Sequence, residues 1–210
     1  SRFIASRMVR RIKGESVKSR YVLCDVGRGS PASGGENFAA TPSLMSVKAT
    51  LALSSSDMAN GQKQLLIFGD VTMAFPHAKL DRLVWTRLPQ DAEGLEVEVD
   101  GKMVVLHASD GVLVACALYG HRRSPKLWQS WLTSTSKSLR SCRLHQSMVD
   151  PTVFWSESGL RLVVCVDDII LVGPPAAVTE TFAELCGRMK MREVGRLAVP
   201  GDRGTFLGRD

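Results

Sequence analysis

The sequence lacks the features typical of membrane proteins, disulfide-rich secreted proteins and zinc proteins. No apolar run approaches the roughly 20 residues of a membrane helix, and the first residues lack the apolar stretch of a signal peptide. The five cysteines form no C-x-x-C pair, and the four histidines share no ligand spacing with them or with each other. We therefore expect an intracellular protein with reduced thiols, no membrane partner and no zinc. The 210 residues, 44% hydrophobic and 23% charged, suit one ordinary domain or two small ones.

Acidic side chains are scarce in two regions of a chain whose net charge is +6. Residues 1–20 contain seven Lys or Arg and the single acid Glu15, and residues 111–149 contain no carboxylate. Two basic regions separated by neutral sequence fit a polyanionic partner such as nucleic acid. A solvated basic surface with a frayed terminus is the alternative.

Helical and strand-like patterns interleave along the chain without regular β-α-β spacing, which predicts an α+β fold with a mostly antiparallel sheet. The predicted strands are 19–27, 63–75 and 204–210, a hairpin at 94–107 around Asp100-Gly101, and a β-meander at 152–173. The predicted helices are 41–60, 125–142 and 176–191. We expect a single domain over 1–210, taken from a longer polyprotein, with a basic and poorly ordered segment at 1–17.

The stretch "LVVCVDDIILVG" (162–173) places Asp167 and Asp168 side by side between apolar runs, and no basic residue lies between Arg161 and Arg188. Burying a charge costs several kcal/mol per ion unless it is compensated. Compensation can come from a cation elsewhere in the chain, from exposure in a solvated turn, or from a bound divalent cation. Asp70 in "LLIFGDVTMAF" follows another apolar strand and is the best candidate for a third ligand. Three such carboxylates could hold two Mg²⁺ ions roughly 4 Å apart for phosphoryl transfer.

Seven segments in order resemble the reverse transcriptase domain of copia-type LTR retrotransposon polyproteins. The three leading ones are D-V-x-x-A-F at 70–75, "LYGHRRSPKLW" at 118–128 and "CVDDIILVG" at 165–173. The supporting ones are "KSRYVLCDVG" (18–27), "NFAATPSLMSVKATLAL" (37–53), "VDPTVFW" (149–155) and "TFLG" (205–208). The resemblance covers nearly the whole chain.

The resemblance implies a polymerase fingers and palm without the thumb, with the palm sheet packed on helices. It implies an RNA-directed DNA polymerase, a nucleotidyltransferase that uses two Mg²⁺ ions, or Mn²⁺, held by Asp70, Asp167 and Asp168. The implied partners are an RNA or DNA template with its primer, deoxynucleoside triphosphates, and the integrase and RNase H domains of the intact element. The implied location is a cytoplasmic retroelement particle or the nucleus.

The resemblance also assigns nucleotide-binding positions. Lys18 and Arg20 fall where cations meet the triphosphate, and Phe75 falls on the aromatic position that discriminates against a 2′-OH. Tyr119 and Gly120 fall near the nascent base pair. An ordinary core role is the alternative for Phe75.

Arg122, Arg123 and Lys126 are the candidate nucleic-acid-binding residues of the 118–128 segment. The sequence departs from the family at Cys165, where a Tyr is usual, at Arg123, where a Gln is usual, and at Pro76. Two other interpretations therefore stay open. One is an inactive retroelement relic that at most binds nucleic acid, and the other is a metal-dependent phosphotransferase that shares only the aspartate arrangement.

Overall fold

The computed structural model describes residues 3–25, 37, 39–56, 58, 61–198 and 202, which form an α+β fold with mostly antiparallel sheets. The described part contains three α-helices: α1 Leu44–Ser54, α2 Ser124–Lys137 and α3 Pro175–Arg188. Its strands are β1 Phe3–Ile4, β2 Ser6–Lys13, β3 Ser16–Leu23, β4 Leu65–Val71, β5 Lys79–Arg87, β6 Glu96–Val99, β7 Lys102–Val105, β8 Gly111–Cys116, β9 His145–Gln146, β10 Val153–Trp155, β11 Arg161–Cys165, β12 Asp168–Gly173 and β13 Met191–Leu197. The predicted fold class is confirmed at this level.

The chain divides into two compact units. The first unit comprises Ser1–Phe38 and Phe75–Trp128, and the second comprises Ala39–Ala74 and Gln129–Asp210. The first unit contains the three-stranded sheet β1-β5-β8 and the two hairpins β2-β3 and β6-β7. Strand β1 runs parallel to β5, and the other pairs of this unit are antiparallel.

The second unit is built on a six-stranded antiparallel sheet in the order β13-β4-β12-β11-β10-β9. Strands β4 and β12 read as almost continuous apolar runs because helices cover both faces of the sheet. Val47 of α1 packs in a cluster with Leu66 and Phe68 of β4. Phe182 of α3 lies against Gly69 on the other face of the sheet, because successive residues of a strand point to opposite faces. The central strands of this sheet thus form the buried core of the unit, and they hold the loops and hairpin turns at their ends in place.

Helix boundaries follow local chemistry. The α1 helix begins after Ser43, whose side-chain oxygen accepts a hydrogen bond from the Ser46 N–H at 3.0 Å. The expected start at Thr41-Pro42 is therefore early. The α3 helix begins at Pro175, where the missing N–H of proline costs no hydrogen bond because the first N–H groups of a helix have no acceptor within it. It ends at Arg188, before β13 begins.

The hairpin predicted around Asp100-Gly101 is confirmed as β6-β7, with φ of 51° at Asp100 and 77° at Gly101. Positive φ at both central residues is the turn that Asp-Gly favours. The predicted β-meander is confirmed as β10, β11 and β12. The strand predicted at 204–210 lies outside the described residues.

The basic N-terminal segment predicted to be poorly ordered contributes β1 and β2, and β2 pairs along its whole length with β3. Strand β2 is largely exposed, so it carries little of the apolar alternation that would have revealed it. None of the helices in the described ranges is long and apolar enough to cross a membrane.

Candidate active site

Four side chains lie in one row across four strands of the second unit. Cys165 is opposite Asp168, Asp168 is opposite Asp70, and Asp70 is opposite Arg192. Residues directly opposite in an antiparallel pair share a face of the sheet. The register therefore brings Asp70 and Asp168, predicted from separate motifs, into neighbouring positions on one face.

Asp167 occupies the tip of the β11-β12 hairpin, beside the row. Its carbonyl oxygen accepts a 2.7 Å hydrogen bond from the N–H of Val71, the residue after Asp70. Val166, the other residue of the two-residue turn, has φ of 56°, which is rare for a β-branched side chain. The turn is thus held in a strained conformation and tied to the end of β4, a combination common at functional sites.

The carboxylates repel one another. The pKa of Asp168 is raised to about 6, first by burial and then by the negative charges of Asp167 and Asp70. The pKa of the Cys165 thiol is also raised, mainly by burial and further by Asp168 and Asp167. The site therefore carries an excess of negative charge, and a cation at these oxygens would relieve it.

Arg192 was not anticipated from the sequence, and it supplies the only cation bonded to an aspartate of the row among the described residues. Its Nε donates a 2.8 Å hydrogen bond to Oδ2 of Asp70, and its own side chain is 68% exposed. Arg192 belongs to the segment "MREVGRL" (191–197), which forms the edge strand β13. This segment is mostly exposed and polar. An exposed edge strand has weak apolar patterning, so the sequence did not distinguish it from a loop.

The donor set has the chemistry of a magnesium site, since Mg²⁺ prefers carboxylate oxygens and water. In the described part of the chain, however, no group of three or more His, Cys, Asp or Glu side chains already converges as a metal cage. Mg²⁺ is usually held by only one or two carboxylates together with water and substrate phosphates. The opposed pair Asp70 and Asp168 meets that requirement, with Asp167 adjacent.

The first unit brings together most of the residues predicted to bind nucleotide. The guanidinium of Arg20 lies 4.9 Å from the ring centroid of Tyr119. The ring of Tyr119 lies 4.9 Å from that of Phe75, with the planes tilted by 59°. Both rings are partly exposed. A cation and two aromatic rings in series can bind an anionic group that carries a planar base.

Gly120 packs against strand β3. Its φ is 81°, and a Cβ there would overlap the carbonyl oxygen of Leu23 and lie 2.7 Å from Cγ1 of Val22. The N–H of Leu23 donates to the carbonyl oxygen of Tyr119 at 2.8 Å. Within the described structure, the close approach that Gly120 permits is to β3, which fixes Tyr119 beside Arg20.

Lys18 and Arg20 lie on one face of the β2-β3 hairpin. Lys18 is opposite Arg11, Arg20 is opposite Val9, and these side chains line a groove of about 460 Å³. The groove thus adds Arg11 to the two cations predicted to meet a triphosphate.

Arg122 and Arg123, predicted to contact nucleic acid, already have carboxylate partners. Arg122 Nε lies 3.5 Å from Oδ2 of Asp25, a side chain that is 6% exposed, and Arg123 is paired with Asp81. The pKa of His121, beside Asp25, is lowered because burial outweighs the effect of that carboxylate. Most of the charge of both arginines is therefore neutralised within the unit.

Lys126, the third residue of that set, lies in the first turn of α2. The carboxylates of the row belong to the second unit, and the predicted nucleotide-binding and nucleic-acid-binding residues belong to the first. Comparisons of the chain with protein-family models, curated proteins and solved structures found no match.

Proposed function

We propose that the chain is an RNA-directed DNA polymerase of a copia-type retroelement, with the fingers and palm of that fold. The observation that supports this most is the register pairing of Asp70 with Asp168, beside Asp167 at a strained hairpin tip. Nucleotidyl transfer requires closely spaced carboxylates on rigid strand ends, because metal positions must be held within fractions of an ångström.

Asp70, Asp167 and Asp168 are the residues that would hold two divalent cations, Mg²⁺ or Mn²⁺. When bound, these ions would lower the pKa of a primer 3′-OH and neutralise the charge that develops on the departing pyrophosphate. The hydrogen bond from Val71 to Asp167 fixes the hairpin tip, so the carboxylates need not reorganise during the reaction.

The first unit contributes groups suited to a deoxynucleoside triphosphate. Lys18 and Arg20 would bind phosphate oxygens by charge-assisted hydrogen bonds. Phe75 and Tyr119 would contact the sugar and base, with Phe75 discriminating against a 2′-OH. The intact element would supply the integrase and RNase H activities and place the polymerase in a cytoplasmic particle or the nucleus.

Primer extension tests the proposal. An oligo(dT) primer on poly(rA) is incubated with the chain, dTTP and either Mg²⁺ or Mn²⁺. Extension by the wild type and its loss in Asp167→Asn are expected. The exposed Glu157 provides a matched control, since Glu157→Gln removes the same charge away from the row. Absence of extension by the folded wild type with both metals would contradict the proposal.

A second candidate is an inactive relic that binds nucleic acid without extending it. The hydrogen bond from Arg192 to Asp70 favours it, because the guanidinium uses an oxygen that a metal would need. Cys165 instead of the usual Tyr favours it too. Salt-sensitive binding of primer–template without extension, unchanged in Asp167→Asn, would identify the relic.

A further inference from the structure

A second basic groove lies in the second unit, at the end of the sheet opposite to β13. It has a volume of about 410 Å³, and its lining includes Lys137, Arg143, His145 and Gln146. Lys137 is the last residue of α2, and His145 and Gln146 form the edge strand β9. The groove is thus built from the end of a helix and the edge of a sheet.

Its cations are not neutralised internally. Within the described residues, neither Lys137 nor Arg143 has a carboxylate partner, unlike Arg122 and Arg123 in the first unit. The interval 111–149, which supplies the whole lining, contains no Asp or Glu. The groove therefore presents uncompensated positive charge to solvent.

An aromatic surface adjoins these cations. The rings of His145 and Trp155 lie 4.9 Å apart with their planes tilted by 31°, and Trp155 is 40% exposed. Trp155 is opposite both His145 and Arg161, so the three side chains share one face across β9, β10 and β11. An exposed indole between an imidazole and a guanidinium offers a flat surface for stacking a planar ring.

We propose that this groove binds a single-stranded nucleic acid, with phosphates at Lys137 and Arg143 and a base stacked on Trp155 and His145. Proteins that bind single strands without sequence preference usually combine cations that contact the phosphates with exposed aromatic rings that stack on the bases. The inference rests on the groove and not on the proposed polymerase activity, and it assigns strand binding to the second unit.

The test measures the affinity of the full chain for fluorescein-labelled single-stranded oligouridylate and oligothymidylate by fluorescence anisotropy over a salt series. The double variant Lys137→Gln/Arg143→Gln should weaken binding about tenfold and reduce the salt slope by about 1.4, since each lost phosphate contact changes it by about 0.7. Trp155→Leu should weaken binding by about tenfold with the salt slope unchanged, because stacking contributes about 1–3 kcal/mol per base.

The matched control is Lys48→Gln/Lys102→Gln, which removes two exposed cations from α1 and β7 and leaves the groove intact. Binding close to the wild type in this control is expected, and circular dichroism melting confirms that each variant is folded. Equal weakening in the control and the groove variant would overturn the inference, because it would indicate attraction to net charge alone. Unchanged affinity in either groove variant would also overturn it, as would groove-dependent binding to phosphatidylserine vesicles without binding to oligonucleotide. Primer extension is a separate readout, so failure of the polymerase proposal remains distinguishable.

Discussion

Arg192 is the cross-strand partner of Asp70, and its Nε donates a 2.8 Å hydrogen bond to that carboxylate. The same aspartate is opposite Asp168 on its other side. Asp70 therefore lies between a fixed positive charge and a second carboxylate, an arrangement that decides how the row responds to substitution, to pH and to metal.

Replacing Arg192 should strengthen metal binding. Arg192→Gln removes a positive charge beside Asp70 and frees its Oδ2, so we expect Mn²⁺ affinity to rise about fivefold, equivalent to about 1 kcal/mol. Titration calorimetry with Mn²⁺ measures this. Arg196→Gln on the same strand, which breaks a pair with Glu193, is the control and should leave the affinity unchanged. A weaker affinity in Arg192→Gln would mean that Arg192 supports the metal site.

The pKa of Asp168 gives a pH dependence with a definite sign. The pKa of about 6 in the folded state lies above the ordinary value of 3.8. Between these two pH values, the folded state keeps a proton on Asp168 that the unfolded state has lost. Stability from this group is present below about pH 4 and is lost as the pH rises through 6. Asp168→Asn should therefore stabilise the protein at pH 8 by about 1 kcal/mol, after allowance for partial exposure, and should have less effect at pH 4.

Urea unfolding at the two pH values measures this difference. Glu157→Gln, at an exposed site outside the row, is the control and should show no such pH-dependent gain. Equal stability of Asp168→Asn and wild type at pH 8 would show that neither burial nor the charges of Asp167 and Asp70 disfavour the ionised Asp168 carboxylate in the folded state.

Divalent cations should stabilise the folded chain. For a dissociation constant near 1 mM, adding about 10 mM Mg²⁺ contributes about 1.4 kcal/mol and raises Tm by about 3–5 °C. The double variant Asp70→Asn/Asp168→Asn should lose this increase. Differential scanning calorimetry with ionic strength matched by NaCl separates ligation from screening. An identical increase in the double variant would place the metal elsewhere.

Gly120 should be intolerant of a side chain. Gly120→Ala forces a Cβ into the carbonyl oxygen of Leu23 at a φ of 81°, so we expect a loss of about 3 kcal/mol in unfolding free energy. Gly94 has a similar φ of 74°, but a Cβ there would meet no atom within 4 Å, so Gly94→Ala should cost only about 1 kcal/mol. Urea denaturation compares the two. Equal losses would show that Gly120 is required for its backbone angle alone.

The features that the sequence revealed were those with strong local chemistry. Asp100-Gly101 fixed a hairpin through positive φ, and the buried runs around Asp168 identified two central strands. Asp70 and Asp168 were matched from separate motifs, and the register places them opposite one another. In each case, a local property of the residues, either a turn preference or an apolar run next to a carboxylate, favours the structure that is observed.

The missed features depend on distant pairing. Strand β13 is mostly exposed, so nothing local marked Arg192 as the partner of Asp70. The carboxylate partners of Arg122 and Arg123 come from residues 97 and 42 positions away. Trp155 meets His145 only because β10 pairs with β9. Contacts of this kind follow from tertiary structure, which a pattern of residue types does not encode locally.

Templated nucleotidyl transfer supported by Asp70, Asp167 and Asp168 is the activity on which the proposed function depends. It is measured as single-nucleotide incorporation by excess protein on a primed RNA template whose next base is adenine. We expect metal-dependent addition of dTTP but not dCTP, reduced below detection in Asp70→Asn and retained in Glu157→Gln. Addition that persists in Asp70→Asn, or no templated addition by the folded wild type with Mg²⁺ or Mn²⁺, would contradict the proposed function.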